Sequence, residues 1–238
     1  MNIVVLYRYC DKGKIPKIWG DIQIQKNVIL SYFLKIFKDI PIYFFADNCE
    51  KSTIEYLQSL CPKKIFKSFL GNSKSFVNMM EILKKLEMSL EDVVLLQEDD
   101  YLYLPNSAQL IKEGINISDY VSLYDHPDKY LNGFNPYVKG NGETCKVRIT
   151  PSSHWKYTNS TTMTFATRYK TLIEDYEILI ESCKYGEIPQ DFIMFTKLLQ
   201  KGRTLITPMP GRATHCDGKF ISPLINWESY LKTKIENI

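Results

Sequence analysis

The sequence predicts an α/β protein with a central mixed, mostly parallel sheet flanked by helices. Three observations carry this expectation. Residues 3–7, 40–46, 65–70 and 93–96 are short, nearly continuous apolar runs, the pattern of strands buried on both faces of a sheet. Between them, apolar residues return at helical spacing, so the repeated unit is βαβ. Each run closes on polar residues, and in such sheets the ligand crevice lies beyond the carboxyl ends of the strands.

Taken in chain order, the first run is Ile3-Val4-Val5-Leu6-Tyr7, closed by Arg8-Tyr9-Cys10-Asp11. A helix follows from Ile24, Val28, Tyr32 and Ile36, with Ile29, Phe33 and Phe37 beside them. The second run closes on Asp47-Asn48 and the third on Gly71-Asn72-Ser73. Phe76, Met79, Met80, Leu83 and Leu86 mark the next helix, and the fourth run ends in Gln97-Glu98-Asp99-Asp100. The second half is less regular. A loop rich in Asp, Asn, Gly, Pro and Tyr spans 125–142, a Thr-rich strand lies near 161–166, and one helical pattern runs from Tyr169 to Cys183. Another helix follows Pro189, and a last strand at 204–207 leads into Pro208-Met209-Pro210-Gly211-Arg212. With no linker and no internal repeat, residues 1–238 read as a single domain, 1–104 forming one half and 105–238 the other.

The 30 Lys and Arg against 27 Asp and Glu leave a net charge of +3, too little for the phosphate attraction of non-specific nucleic-acid binders. No nucleic-acid partner is expected. No stretch approaches the ~18 to 20 apolar residues of a membrane span. The opening apolar run is too short for a signal peptide, so a cytoplasmic location is expected. Cys10, Cys49, Cys61, Cys145, Cys183 and Cys216 are scattered singly and read as reduced thiols. Asn116 and Asn159 begin glycosylation triplets that carry no weight there. No GxxxxGK[ST] loop and no GxGxxG after the first strand appear, which argues against a P-loop enzyme and a dinucleotide dehydrogenase.

The strongest local signal is Glu98-Asp99-Asp100 at the end of an apolar strand. Three consecutive carboxylates repel one another unless a cation or several donors compensate them, and hard oxygen ligands suit Mg²⁺ or Mn²⁺. A solvated acidic turn is the plain alternative.

A βαβ half followed by this acidic motif and a smaller second half resembles the GT-A fold, a Rossmann-like architecture, of nucleotide-sugar-dependent glycosyltransferases. In its short size the chain is similar to the glycosyltransferases encoded by large algal DNA viruses. The resemblance covers most of the chain. It implies a nucleotide-binding half at 1–104, an acceptor-binding half at 105–238, and Mn²⁺ or Mg²⁺ as cofactor. It implies a nucleotide-sugar donor, with UDP the expected nucleotide, and a carbohydrate or other hydroxyl acceptor. In the family the acidic motif, D-x-D-like, holds the cation and touches the ribose, which makes Glu98 and Asp100 metal ligands and Asp99 a substrate contact. A His after the last strand often completes the metal shell, and His215 holds that place. Arg8, Tyr9, Asp47, Ser75 and Asn78 occupy the strand ends and helix start where the family binds its nucleotide. Asp191, in Glu187-Ile188-Pro189-Gln190-Asp191, stands where inverting members carry the catalytic base; the usual preceding Glu is Gln190 here.

Each assignment has a plainer alternative. Asp191 in a first helical turn is favourable by ~0.3 to 1 kcal/mol without catalysis. Asp47-Asn48 is also a good turn, and Ser75 and Asn78 suit a helix start. His126 and His154 read first as loop residues. Tyr124, Tyr130, Phe134, Tyr137, Trp155 and Tyr157, in or beside polar loops, suit stacking on sugar faces or plain loop packing. Two other functions compete with sugar transfer: a non-catalytic nucleotide- or carbohydrate-binding protein of the same fold, and a metal-dependent nucleotidyltransferase.

Overall fold

In the computed structural model, residues 1–19 and 22–235 are described. The first half runs β1 (Ile3–Tyr9), β2 (Lys17–Trp19), β3 (Ile22–Gln23), α1 (Lys26–Ile36), β4 (Ile42–Asp47), α2 (Lys51–Ser59), β5 (Lys64–Ser68), α3 (Asn72–Leu83), β6 (Val93–Gln97) and β7 (Tyr101–Tyr103). The second half runs α4 (Ser107–Ile115), β8 (Tyr120–Val121), β9 (Val147–Thr150), β10 (Ser153–Tyr157), β11 (Phe165–Arg168), α5 (Tyr169–Glu174), α6 (Tyr176–Glu181), α7 (Asp191–Gln200), β12 (Leu205–Met209), β13 (Ala213–His215) and α8 (Trp227–Ile235). A 3₁₀ turn spans Pro127–Lys129.

Nine strands form the main sheet in the order β5-β4-β1-β6-β11-β8-β12-β10-β9. β10 and β11 run against the other seven, so the sheet is mixed and mostly parallel, as the sequence predicts. It joins both halves, since β11 pairs with β6 along Phe165 to Arg168.

Period-two alternation in β1 explains the layers. Val5 and Tyr7 pack with Leu30, Phe33, Phe44 and Leu57 on one face. Val4 and Leu6 pack with Phe76, Met79, Leu172 and Phe195 on the other. Leu6, Phe76, Met79 and Leu172 are wholly buried. Each large apolar side chain removed from water in this way contributes roughly 1.5–3 kcal/mol. A third cluster, with Ile18, Ile29, Leu102, Leu104, Trp227 and Leu231, docks α8 beside α1 and β7.

The helical pattern from Tyr169 to Cys183 is broken at Asp175, between α5 and α6. Asp175 is buried and accepts hydrogen bonds from Tyr120 Oη (2.7 Å), Lys201 Nζ (2.6 Å) and Arg203 Nε (2.8 Å). Burial opposes its charge, but these donors hold its carboxyl below the ordinary range.

Asp47, expected to bind a nucleobase, is a structural anchor instead. Its Oδ1 accepts from Ser68 Oγ and Leu70 N, both at 2.7 Å, and its Oδ2 from Gly71 N (2.9 Å) and Asn48 Nδ2 (2.7 Å). Four bonds fill the acceptor capacity of a carboxylate, leaving no lone pair for a base. They also hold Gly71 at φ +81°, a left-handed conformation that needs no side chain there and starts α3. Asp47→Asn, whose amide would face those N–H groups, is expected to cost about 1–3 kcal/mol, measured as a lower urea midpoint. Burial works against the Asp47 charge, but its donors, led by Leu70 N–H, keep the folded carboxyl below its ordinary value. The stability it confers is therefore complete above the unfolded value of ~3.9 and lost as pH falls through the folded one. The gap between parent and variant should narrow in that acid range.

Candidate functional site

The carboxyl ends of β4, β1 and β6 lie side by side in the sheet, and β7, paired with β13, follows the acidic motif. β13 pairs antiparallel with β7, placing His215 opposite Tyr101, and Cys216 N donates to Asp100 O at 2.7 Å. This pairing brings His215 to the acidic motif although more than a hundred residues separate them. His215 Nε2 and Asp100 Oδ2 lie 2.9 Å apart. The imidazole stacks on Tyr101 with ring centres 4.9 Å apart, and Tyr101 Oη is held by Thr162 Oγ1 at 2.7 Å. Burial opposes the His215 charge, but the Asp100 carboxylate overcomes it and raises the imidazole to about 9. Burial likewise opposes the Asp100 charge, and His215 holds that carboxyl below its usual range.

The three carboxylates point to different partners. Asp99 turns toward β1, accepting from Lys26 Nζ and Cys10 N, both at 2.8 Å, and is nine-tenths buried. Glu98 faces Arg8 Nη1 at 3.5 Å and accepts from Thr164 Oγ1 at 3.3 Å. Burial raises Glu98, and the Asp100 and Asp191 charges add to this while Arg8 and His215 oppose it. Arg8 also donates to Asn72 O at 2.9 Å and Ser75 Oγ at 3.1 Å, tying the end of β1 to the start of α3. Arg8 thus links Glu98 to Ser75, and Asn78 lies half-buried further along α3. Tyr9 is a core residue whose ring packs on Tyr7; it also borders a cavity of about 320 Å³ with Lys26, Asn27, Ser52, Thr53 and Tyr56.

The expected cation can be tested against these donors. Asp100 Oδ1 is shielded from water and has no hydrogen-bond partner. Two ligands ~2.1 Å from an octahedral ion at right angles lie ~3 Å apart, close to the Asp100–His215 separation. The donor types suit Mg²⁺ or Mn²⁺, and an ion held here would displace the His215 Nε2 proton that Asp100 now accepts. Glu98 does not complete such a site, because it is engaged with Arg8 and Thr164. Among the described residues no group of three or more His, Cys, Asp or Glu side chains forms a metal cluster. The remaining positions would fall to water and to oxygens of a ligand. His215→Ala is expected to weaken Mn²⁺ binding in the presence of nucleotide at least about ten-fold without abolishing it, read by titration calorimetry. An unchanged titration would remove His215 from the site.

Asp191 opens α7 as its first helical residue, two beyond Pro189. Its Oδ1 accepts from Phe192 N at 2.6 Å. Burial raises its carboxyl despite that bond and the nearby charges of His126 and Lys129. Of the loop aromatics, Tyr124 and Trp155 are core residues. Phe134 and Tyr137 are exposed, and Tyr137 stacks on Phe192 at 6.0 Å, next to Asp191. His126 packs between Tyr124 and Phe220, and its charge acts on Asp191. The six cysteines are free. Among the described residues no helix is long and apolar enough to cross a membrane.

No protein-family model and no curated protein matches the chain. Solved structures show which class of fold it has. The chain is similar to 4-diphosphocytidyl-2C-methyl-D-erythritol synthase from Anaerococcus prevotii, at 12% identity and TM-score 0.52, covering 97% of this chain and 96% of that one. It is similar to CMP:2-keto-3-deoxy-manno-octonic acid synthetase complexed with CTP, at 10% identity and TM-score 0.51, over 100% of both chains. A third similar structure is TarS 1–349 of S. aureus, at 16% identity and TM-score 0.49, covering 87% of this chain. The chain spans 58% of that structure's length. At these identities the likeness establishes a shared α/β fold. It lends no support to the closer likeness with algal-virus enzymes.

Proposed function

We propose that the protein is a metal-dependent glycosyltransferase that moves a sugar from a nucleotide-sugar, with UDP the expected nucleotide, to a carbohydrate hydroxyl and inverts the anomeric centre. One observation carries the reading: His215 meets Asp100 at 2.9 Å beside Glu98, and the Asp191 charge is close enough to act on that same Glu98. That layout separates a site for a departing diphosphate from a carboxylate able to take a proton.

The chain's own residues then divide the work. Asp100 and His215 would hold the cation, which when bound acts as a Lewis acid on the departing diphosphate. Lys26 and Cys10 N fix Asp99 at the end of β1, where a ribose hydroxyl would reach its free oxygen. Arg8 supplies positive charge between α3 and Glu98. Asp191 takes the acceptor hydroxyl proton, and its burial, which raises the carboxyl, strengthens it as a base. Phe134 and Tyr137 offer flat apolar faces to an acceptor sugar.

A second reading, nucleotidyl transfer, is favoured by one feature: exposed Lys12 and Lys14 in the loop after β1, where a triphosphate could be gripped. A thermal-shift screen of UDP-, GDP-, CMP- and dTDP-sugars and of nucleoside triphosphates, with and without Mn²⁺, separates the two, because ligands of the native state raise its melting temperature. The leading reading predicts Mn²⁺-dependent stabilisation by one nucleotide-sugar. Stabilisation by a triphosphate alone would favour the second.

A further inference from the structure

Resting on the reading of Asp191 as base and Tyr137 as acceptor platform, we infer that Asn159 is a positioning residue: with Asn135 it holds Tyr137 on Phe192, and so sets where the acceptor lies relative to the base. The 125–142 loop carries little regular structure beyond the 3₁₀ turn at Pro127–Lys129. So long a segment is costly to order unless buried groups tie it down. Lys156 ties its two ends: Nζ lies 3.0 Å from Asp125 Oδ1 and 3.5 Å from Glu143 Oε2. Glu143 Oε1 in turn accepts from Asn159 N at 3.0 Å, which docks the connection between β10 and β11 against the loop.

Within the loop, the Asn159 side chain is the hub. Its Oδ1 accepts from Lys129 Nζ (2.7 Å) and Asn135 Nδ2 (3.1 Å), and its Nδ2 donates to Asn135 Oδ1 (3.0 Å). Asn135 Nδ2 also donates to Asp128 Oδ2, and Asn135 Oδ1 also accepts from Tyr137 N, both at 3.1 Å. These partners fix the orientation of both amides. The Lys129 ammonium can only donate, so Asn159 presents its oxygen there; the Tyr137 N–H can only donate, so Asn135 presents its oxygen to it and its nitrogen to Asp128. Lys129 and Asn135 are buried, and a second Lys129 proton goes to Ser160 Oγ at 2.6 Å.

Tyr137 carries this network to the base. Its backbone is pinned by Asn135 Oδ1, and Val138 N donates to Asn135 O at 3.0 Å to close the turn. Its exposed ring stacks on Phe192, with centres 6.0 Å apart and planes at 28°. Phe192 N–H donates to Asp191 Oδ1 at 2.6 Å. One chain of contacts therefore runs from Asn159 through Asn135 and Tyr137 to the residue beside Asp191. Asn159 acts through Tyr137 rather than on the acceptor itself. A displacement of ~1 Å in such a platform matters, because the acceptor hydroxyl must sit in near-attack geometry for the base to work.

Two readouts on the full chain test this. Hydrogen exchange of the Tyr137 amide, followed by NMR, reads the positioning without any substrate. Asn159→Ala is expected to exchange there at least about ten-fold faster than the parent. Asn159→Asp, whose carboxylate still accepts from Lys129 and Asn135 Nδ2, should recover most of the protection. Transfer is then measured with the nucleotide-sugar that stabilises the parent and the methyl glycosides of glucose, galactose, mannose and N-acetylglucosamine, following the acceptor that the parent uses best. Asn159→Ala is expected to raise the acceptor KM about ten-fold with donor affinity unchanged by calorimetry, and the double variant with Tyr137→Ala should lose no more than Tyr137→Ala alone. Asn159→Ser serves the same comparisons if Asn159→Ala does not fold. A Tyr137 amide as protected as in the parent, losses that multiply in the double variant, or donor affinity falling together with acceptor KM would overturn the role of Asn159 alone. A parent that transfers to none of these glycosides would overturn the acceptor reading, and the Asn159 inference with it.

Discussion

Asp100→Ala is expected to abolish Mn²⁺-dependent nucleotide binding while the fold persists. The side chain stands just before β7, and among the described residues its side-chain hydrogen-bond partner is His215. The backbone bond from Cys216 N to Asp100 O, which joins β13 to the motif, survives the substitution. What disappears is the anionic ligand and with it Oδ1, an oxygen shielded from water and without a partner. A buried acceptor without a protein partner is costly unless a water or a cation meets it. Loss of the charged member of a two-residue site should reduce Mn²⁺ affinity by more than about a hundred-fold, beyond the effect of removing an outer-shell partner. Calorimetry with Mn²⁺ and nucleoside diphosphate reads this directly, alongside a melting curve close to the parent's. A variant that binds metal and nucleotide as tightly as the parent would end the metal role of Asp100.

Asp191→Asn is expected to keep donor binding and lose about 10² to 10⁴ in transfer rate, the usual worth of a positioned base. Asparagine preserves shape and can still accept from Phe192 N–H, so α7 keeps its start. The lost interaction with the helix dipole is only ~0.3–1 kcal/mol, too small to explain a rate loss of that size. A structural role would show as a lower melting temperature with proportionate loss of donor affinity. A catalytic role leaves both in place and removes turnover. The product of the parent enzyme should have the opposite anomeric configuration from the donor, as NMR of the isolated product would show. Near-normal transfer by the variant, or retained configuration, would contradict the assignment.

The central strands were legible because their chemistry is local. β1, β4 and β6 are buried on both faces, and continuous apolar runs say so. The break at Asp175 was not legible: Tyr169 to Cys183 carries an unbroken helical pattern, and the interruption comes from partners on β8 and in the segment after α7. β7 and β13 are too short, at three residues each, to show any period. The same division holds at the site. The residue types of Asp100, His215 and Asp191 could be singled out, whereas the antiparallel register that joins the first two is non-local. Asp47 shows the converse. Its strand-end position suggests a ligand contact, but the turn that follows β5 returns to fill all its acceptor sites.

The central claim, sugar transfer from a nucleotide-sugar, is tested most directly by following phosphorus. Parent and Asp191→Asn would be incubated with the nucleotide-sugar that stabilises the parent, a mixture of oligosaccharide acceptors and Mn²⁺, and phosphorus NMR would record the products. A parallel sample would contain nucleoside triphosphates and sugar 1-phosphates. The account predicts release of nucleoside diphosphate in the first sample, dependent on Mn²⁺ and on Asp191, with no change in the second. Pyrophosphate appearing in the second sample, with the nucleotide-sugar left intact in the first, would contradict it.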